Sequence, residues 1–292
     1  MSALPATLAA VLAGQLNSSI VADAPVGGGS ICQAARAELA DGRKILVKWR
    51  TGIPGMFSAE RRGLELLAAA NALTVPAVLA QQEADSGTPA FLAIEWLGQG
   101  RPTPSIEQTL GRGLAQLHRS TAEKFGLNHD NFIGANPQPN RQTGNWVDFF
   151  REQRLGFQME LAGRNGYLHR ERWQRLEKLL ARLDNWLPAR PPASLLHGDL
   201  WGGNWLTTAS GQPALIDPAV YYGHREAELA FTELFGGFSA TFYAAYAEAW
   251  PLETGYETRK PLYNLYHLLN HLNLFGEGYG SGVDSILRQY AG

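Results

Sequence analysis

The chain has 292 residues, of which 45% are hydrophobic, so it can bury the core of one large or two moderate domains. Its 25 basic and 27 acidic side chains leave a net charge of −2. No run of Lys or Arg forms the basic surface that binding to nucleic acid or an anionic membrane requires. Cys32, the single cysteine, excludes an internal disulfide. Without a signal-peptide pattern or a membrane-length apolar run, we expect a cytoplasmic protein.

The N-terminal third predicts a small lobe of five strands with one inserted helix. Asp41-Gly42 between two apolar runs is a specific hairpin signal. Ser58 has the side chain of a helix N-cap and precedes an apolar helical pattern. The predicted elements are a helix over 4–16, three strands within 18–50, a helix over 59–70, and strands near 76–82 and 90–96.

Residues 98–104 form the one linker-like stretch, and the pattern beyond it is mostly helical. Ser105 and Gln108 have the spacing of a capping box ahead of an apolar helical face. The pattern therefore predicts an α+β bilobal fold, with an N-terminal lobe over 1–97 and a C-terminal lobe over 98–292. Further helices are predicted over about 146–160, 168–186, 226–249 and 258–275.

The segment from His197 to Asp217 contains the strongest chemical pattern. Asn204 follows Asp199 by five positions, and Asp217 lies thirteen further on. Phosphoryl transfer from ATP uses a carboxylate that accepts the proton of the attacking hydroxyl, and an amide and a second carboxylate that hold Mg²⁺. Protein kinases space these groups in the same way. We therefore predict Asp199 as the catalytic base and Asn204 and Asp217 as Mg²⁺ ligands in a crevice that binds ATP. Polar loops beside short strands are the alternative.

Upstream residues provide candidate contacts to ATP. Glycines let backbone N–H groups approach phosphate oxygens, although a glycine-rich hairpin is also a common turn. Lys48 ends a strand and could hold phosphates while a helix glutamate, Glu60 or Glu65, orients it. An exposed strand lysine and a helix N-terminal charge are the alternatives. The predicted nucleotide contacts are Gly27, Gly28, Gly29, Ser30, Lys48, Glu60, and the backbone groups of Glu95 and Leu97.

Two other patterns favour structural roles. His267 and His271 have the spacing of paired zinc ligands on a helix, but no glutamate follows the first histidine as in zinc proteases. Aromatic residues also recur at helical spacing, which predicts a buried helix face. They are Phe231, Phe235, Phe238, Phe242 and Tyr246.

Several segments resemble the fructosamine kinase (ketosamine-3-kinase) family, over a span from the glycine loop to about residue 280. The Trp201-Gly202-Gly203 insert in the catalytic loop is the most specific of these features. The similar segments are 125–134, 145–155, 197–204, 216–230 and 263–276.

The resemblance implies an ATP- and Mg²⁺-dependent kinase that phosphorylates the 3-hydroxyl of a ketosamine, the adduct of a sugar with an amine. The 3-phosphate promotes elimination, which releases the amine and reverses glycation. By this resemblance Asp199 is the base, Asn204 and Asp217 bind the metal, and Lys48 and Glu60 position the phosphates. Trp201 is expected either to stack on the sugar in the crevice or to support the catalytic loop by hydrophobic contact. The other expected sugar-side residues are Trp146, His224, Arg225 and Glu226.

One position departs from the family pattern. Some relatives have a cysteine directly after the glycines, associated with redox-sensitive dimerisation, whereas this chain has Ser30 there. Cys32 lies two residues later, where a strand is predicted, and a thiol on a strand is less accessible than one on a loop. We therefore expect no redox switch and a monomeric enzyme.

Two other functions remain open. The first is a small-molecule kinase of the same fold that acts on an aminoglycoside, choline or homoserine; the Trp201 insert and the stretch from His224 to Glu226 argue against it. The second is a nucleotide-binding pseudokinase scaffold, which predicts loss of at least one catalytic or metal-binding residue, and none is lost. The expected partner is a ketosamine, free or protein-bound, with no nucleic acid or membrane partner.

Overall fold

The computed structural model describes residues 2–27 and 31–292. Gly28, Gly29 and Ser30 of the predicted glycine loop lie outside the described residues. The N-terminal elements are α1 (Ala6–Leu16), β1 (Ile20–Pro25), β2 (Gln33–Leu39), β3 (Lys44–Arg50), α2 (Met56–Ala69), β4 (Val78–Gln82) and β5 (Ala90–Glu95). The five strands form one antiparallel sheet in the order β1-β2-β3-β5-β4. The predicted strands and inserted helix are therefore confirmed.

Strand β3 shows how the sheet is built. Gly42, at φ +86°, makes the predicted turn between β2 and β3. Alternate β3 residues, Ile45 and Val47, pack with α1 on one face of the sheet. Because side chains alternate along a strand, Lys48 is on the opposite face, where α2 packs.

Both predicted helix caps are wrong by a few residues. Helix α2 begins at Met56, after Gly55, and the hydroxyl of Ser58 lies within the helix and donates to Glu83 at 2.5 Å. The next helix is capped by Thr103, whose Oγ1 accepts a hydrogen bond from Ile106 N at 3.4 Å. A proline in the first turn of that helix needs no N–H partner, which favours the earlier start.

The C-terminal part is mostly helical and contains short strand pairs. Three of its strands form one sheet in the order Tyr221–Gly223, Ala193–Leu196 and Thr121–Ala122. Two two-stranded hairpins pair Trp205–Thr207 with Pro213–Leu215 and Asn131–Ile133 with Asn136–Gln138. The elements are α3 (Pro104–His118), β6 (Thr121–Ala122), β7 (Asn131–Ile133), β8 (Asn136–Gln138), α4 (Trp146–Phe149), α5 (Phe157–Arg164), α6 (Arg170–Leu180), β9 (Ala193–Leu196), β10 (Trp205–Thr207), β11 (Pro213–Leu215), β12 (Tyr221–Gly223), α7 (Arg225–Leu234), α8 (Ala240–Ala249), α9 (Tyr256–Phe275) and α10 (Gly280–Ala291).

Two helix predictions need correction, and one helix is missing from the prediction. The helix predicted over 226–249 is two helices, because Gly236 and Gly237 adopt φ values of +73° and +96° between α7 and α8. The residues between α4 and α5, Phe150–Gly156, form a π-helix. Helix α10 was not predicted. Phe235, predicted to be buried, is exposed at the end of α7.

The C-terminal core is formed by side chains from α4, α6, α9 and α10. A second cluster joins α3 and α8 to the residues around β9 and β11. None of the described helices is long and apolar enough to cross a membrane. The boundary at 97/98 between the two lobes stays a prediction.

Candidate active site

The hairpin β10–β11 brings the three predicted catalytic groups together. Asn204 precedes β10 and Asp217 follows β11, and Ile216 N donates to Asn204 O at 3.0 Å across the hairpin. The amide nitrogen of Asn204 donates to the backbone carbonyl of Asp199 at 2.8 Å and to its carboxylate at 3.1 Å. The amide oxygen of Asn204 is therefore left for a ligand other than Asp199.

Lys48 joins the sheet to this hairpin. Its ammonium donates to Glu60 at 2.6 Å and also contacts the carboxylate of Asp217. Lys48 and Glu60 are almost fully enclosed, whereas 45% of the Asp217 side chain is exposed. The structure thus brings the predicted Lys48–Glu60 pair into contact and leaves one carboxylate open to the crevice.

Burial and charge shift the ionisation of these groups. Burial opposes the charge on Lys48, but the carboxylates of Asp217 and Glu60 outweigh it and raise the pKa of Lys48. Burial raises the pKa of Glu60, against the attraction of Lys48. Burial, followed by the negative charge of Asp217, raises the pKa of Asp199 well above that of an ordinary aspartate. Asp199 is consequently a better proton acceptor than a solvated carboxylate would be.

The loops that contain Asp199 and Asp217 cross at Gly198. A Cβ at this glycine, which has φ +84°, would overlap Ala219 O, and Ala219 N donates to His197 O at 2.8 Å. Asp217 itself has φ +56°, a left-handed conformation that is uncommon outside glycine and costs about 1–3 kcal/mol. Such strain persists because the crossing holds both loops in place.

Comparison with known proteins assigns the chain to a family. The profile described as fructosamine kinase matches residues 5–291. The chain belongs to the fructosamine kinase family. A Synechocystis protein named as a ketoamine kinase is 44% identical over 235 residues, which cover 80% of this chain and 78% of that protein. A chloroplastic protein-ribulosamine 3-kinase of Arabidopsis thaliana is 38% identical over 271 residues, which cover 91% of this chain and 81% of that protein.

Solved structures agree on the fold. A crystal structure described as a fructosamine-3-kinase of Thermobifida fusca has a TM-score of 0.87 and 34% identity, and each chain is covered to 97%. An aminoglycoside phosphotransferase in complex with AMP-PNP and hygromycin B has a TM-score of 0.68 at 19% identity, with 98% of this chain and 99% of that chain covered. At this identity the similarity shows the fold alone. This fructosamine kinase family member is therefore an ATP-using phosphotransferase with a hydroxyl acceptor and the predicted bilobal kinase fold.

Glu228, a residue that the sequence analysis did not select, anchors the catalytic loop of the kinase. Its buried carboxylate accepts hydrogen bonds from His197 N at 3.0 Å and Gly198 N at 2.6 Å, and it contacts His118 Nε2 at 2.9 Å. Burial opposes its ionisation, but the bond with His118 and the charges of His118 and His197 outweigh burial and lower the pKa of Glu228. In the sequence, Glu228 stands out only as an acidic residue within the family-like segment 216–230.

A second unpredicted group supports the segment after Asp217. Gln138 Nε2 donates to Ala219 O at 3.0 Å, and Asn131 Nδ2 donates to Val220 O at 2.8 Å. Tyr266 donates to Gln138 Oε1 at 2.6 Å. Hairpin β7–β8 and helix α9 thus fix the backbone that follows Asp217. The segments 125–134 and 263–276, which resemble the family, include Asn131 and Tyr266 without showing this role, and Gln138 lies outside them.

The Trp201-Gly202-Gly203 insert has a clear steric basis in this kinase. A Cβ at Gly203 would overlap the indole ring of Trp201, and a Cβ at Gly202 would lie 2.9 Å from Gly237 Cα. Trp201 remains 43% exposed. The indole therefore covers its own loop on one side and is open to solvent on the other.

The remaining four predicted sugar-side residues do not line an open crevice. Each side chain is at most 2% exposed, which corrects the prediction for Trp146, His224, Arg225 and Glu226.

Other groups of the protein form hydrogen bonds with the polar atoms of these four buried side chains. His224 Nδ1 contacts Tyr263 OH at 2.7 Å, and both oxygens of Glu226 accept from Arg259 at 2.6 and 2.8 Å. Arg225 donates to Trp250 O and Pro251 O, and Trp146 Nε1 donates to Tyr263 OH at 3.4 Å. These contacts stabilise the helical lobe. The acidic acceptor surface that Glu226 could have provided is thus occupied by an arginine.

The predicted adenine contacts lie where β5 leaves the sheet. The carbonyl of Leu97 accepts a hydrogen bond from Ala209 N at 3.0 Å, which leaves one lone pair of this oxygen and the N–H of Leu97 for a base. Glu95 is at the end of β5 with an exposed side chain, and Gly27 is exposed just beyond β1. These positions border the crevice, and their nucleotide contacts stay predictions.

Cys32 packs at the edge of the cluster between the sheet and α2. Burial raises the pKa of its thiol to about 11, so the thiol is protonated near neutral pH. A thiol of this kind reacts slowly with disulfides and oxidants, because the thiolate is the nucleophile.

Proposed function

We propose that the enzyme transfers the γ-phosphoryl group of ATP to the 3-hydroxyl of a ketosamine. The observation that carries this proposal is the junction of Lys48, Asp199, Asn204 and Asp217 in one crevice of a fructosamine kinase family member. The names of the relatives, ketoamine kinase and protein-ribulosamine 3-kinase, favour a ketosamine acceptor, either small or attached to a protein.

The donor set at the crevice fits Mg²⁺ held partly by phosphates. Within residues 2–27 and 31–292, no cluster of three or more His, Cys, Asp or Glu side chains could hold a metal. Mg²⁺ usually binds through one or two carboxylates together with substrate phosphates and water. The exposed carboxylate of Asp217 and the amide oxygen of Asn204 are suitable ligands. When bound, Mg²⁺ offsets the charge that develops on the transferred phosphoryl group.

Lys48 contributes a fixed positive charge to the phosphate site. The carboxylate of Glu60 holds its ammonium at 2.6 Å, so little ordering is needed when a phosphate binds. Because Lys48 also contacts Asp217, a single lysine links the sheet to the metal-binding loop. We assign Lys48 and Glu60 to positioning the phosphates.

Asp199 accepts the proton of the attacking hydroxyl. The hydrogen bond from Asn204 orients the carboxylate, and the raised pKa of Asp199 increases its basicity. The 3-phosphate formed in this way is a leaving group next to the ketosamine carbonyl. After enolisation towards C1, loss of inorganic phosphate leaves an iminium at C1, and water hydrolyses this iminium to release the amine, so the reaction would undo glycation.

A substrate assay and two variants test the acceptor and the roles of Asp199 and Asp217. The wild-type enzyme should consume ATP in the presence of ribulosamines or fructosamines and form a 3-phosphate detectable by ³¹P NMR. Asp199→Asn should keep Mg·ATP affinity and lower turnover by about 10²–10⁴-fold, as removal of a positioned base does. Asp217→Ala should instead weaken Mg·ATP binding in calorimetry, because it removes a metal ligand.

Two results would contradict this proposal. ATP consumption that no member of a ketosamine panel stimulates would rule out the acceptor class. Wild-type turnover in a folded Asp199→Asn enzyme would remove this residue from catalysis.

A further inference from the structure

Four aromatic side chains form an exposed face beside the crevice. We call Phe235, His271, Phe275 and Tyr279 the aromatic face. Phe235 is 41% exposed and Phe275 is 51% exposed, and half-buried His271 lies between them. Ring centroids are separated by 4.8 Å between Phe235 and His271, 5.0 Å between His271 and Tyr279, and 5.5 Å between His271 and Phe275. Contiguous exposed apolar groups of this kind mark binding surfaces.

The aromatic face is held in place by the fold. Gly276, at φ +88°, ends α9 and reverses the chain, so that Tyr279 returns over His271. Phe235 packs edge-on against buried Phe231, at a centroid distance of 5.7 Å. Phe231 therefore supports the ring of Phe235 on its buried side, and the rings of Phe235 and Phe275 remain partly exposed to solvent.

The aromatic face presents rings and no net charge. The imidazole of His271 is bonded through Nδ1 to His267 O at 2.8 Å, and burial lowers the pKa of His271, so the ring is neutral at neutral pH. The neighbouring acid, Glu277, is paired with Arg172 at 2.6 Å. A ligand that binds here is recognised by apolar contact and by the π-systems of the rings.

The aromatic face adjoins the catalytic loop. Phe235 is followed by Gly236 and Gly237, and a Cβ at Gly237 would lie 2.5 Å from Gly202 Cα. The carbonyl of Gly237 also accepts from Trp205 Nε1 at 3.3 Å. Gly237, two residues after Phe235, therefore contacts the Trp201 insert. This insert follows Asp199 in the same loop.

The residue before Phe275 in the chain approaches the N-terminal lobe. Leu274, next to Phe275, lies against Gly134: a Cβ built there would be 2.9 Å from Leu274 and 3.0 Å from Ile31. Ile31 directly follows the glycine loop. Gly237 and Leu274, which lie close to the aromatic face in the chain, therefore contact the Trp201 insert and Gly134, and Gly134 also lies against Ile31.

We propose that the aromatic face binds the amine-bearing half of the ketosamine and selects substrates whose amine has a large apolar substituent. This inference rests on the proposed function. The sugar half must place its 3-hydroxyl at Asp199, so the amine half extends outwards along the protein. Rings at this point suit an apolar substituent and the protonated amine that precedes it. Because the carboxylate of Glu226 is paired with Arg259, it is not available to the protonated amine of the substrate. Contact with the aromatic rings would recognise the amine instead.

The test compares two ketosamines that share one sugar, the adducts of methylamine and benzylamine. The wild-type enzyme should show a kcat/KM for the benzylamine adduct that is about tenfold higher. Phe235→Ala and Phe275→Ala should each reduce this ratio by about threefold or more, with the KM for ATP unchanged. Trp173→Ala removes a ring that is 36% exposed on α6, where it packs beside Gly163 of α5, and should leave the ratio unaltered.

The outcomes separate the two proposals. Equal kcat/KM for both adducts in the wild type, or an unchanged ratio in both folded Phe variants, would overturn the role of the aromatic face. Failure of both adducts to be phosphorylated would contradict the proposed function itself. A wild-type dimer in sedimentation velocity that dissociates in Phe235→Ala would assign the aromatic face to a second copy of the chain and overturn the inference.

Discussion

At the scale of single residues, Trp201 combines a packing role with an exposed surface. Its ring lies over Gly203, where a side chain would not fit, yet 43% of the residue is open to solvent. A sugar can stack its apolar face on such an indole, and a nearby protonated amine can gain about 0.5–2 kcal/mol from the ring. If the ring binds the substrate, its removal should leave the affinity for ATP unchanged. If the ring only supports the loop, its removal should also lower the affinity for ATP.

Trp201→Ala tests which role dominates. We expect the KM for the ketosamine to rise about tenfold, from ~1.4 kcal/mol of lost binding, while the KM for ATP stays level. Steady-state kinetics with each substrate varied in turn measures both constants. An equal loss of affinity for ATP would show that the ring serves only to support the loop.

At the scale of elements, α7 contains two buried glutamates with different roles. Glu228 accepts from the backbone of the catalytic loop, whereas Glu226 pairs with Arg259 on α9. Replacing a carboxylate by an amide places an N–H group against one of the two backbone donors. The loop that contains Asp199 must then shift, and small displacements of catalytic groups have large effects on rate.

Glu228→Gln should therefore lower kcat by about 10–10² with little change in the KM for ATP. Glu226→Gln is the matched control, because it alters a buried carboxylate on the same helix without contact to the catalytic loop. It should reduce the free energy of unfolding and leave kcat close to wild type. If both variants lose kcat equally, general disruption of α7 explains the effect, and Glu228 has no special positioning role.

At the scale of the whole molecule, Arg172 ties the C-terminal end of the chain to α6. This buried guanidinium donates to Asp284 at 2.8 and 2.9 Å, to Glu277 at 2.6 Å and to Tyr167 O at 2.6 Å. The hydrogen bonds from Arg172 lower the pKa of Glu277 and of Asp284. Helix α10 and the turn before it are therefore fastened by one side chain.

Arg172→Gln should reduce the free energy of unfolding by about 2 kcal/mol at neutral pH. A carboxyl with a lowered pKa in the folded state stabilises the protein above its unfolded pKa, and this contribution is lost as the pH falls through the folded pKa. The difference between wild type and variant should thus shrink below about pH 4. Urea denaturation at several pH values measures it. Arg175→Gln, on the same helix in a more exposed pair, should cost less at every pH.

Local sequence patterns determined the parts of this protein that depend on neighbouring residues. The Asp41-Gly42 turn, the alternating β3 strand and the spacing of Asp199, Asn204 and Asp217 all rely on contacts within a short segment. A turn or a strand period follows from the backbone conformation that adjacent side chains favour. For this reason the sheet, most helices and the proximity of Asp199, Asn204 and Asp217 could be predicted from the sequence, whereas the catalytic roles of these residues stay predictions.

Tertiary structure alone decided which polar residues face the crevice. Glu226 and Glu228 are two positions apart on one helix, and only the packing of α7 directs one to Arg259 and the other to the catalytic loop. Trp146 and Trp201 are both tryptophans in family segments, yet one is buried and the other exposed. Burial and pairing depend on residues distant in sequence, which a local pattern does not contain, so the burial and the partners of these side chains emerged only from the folded chain.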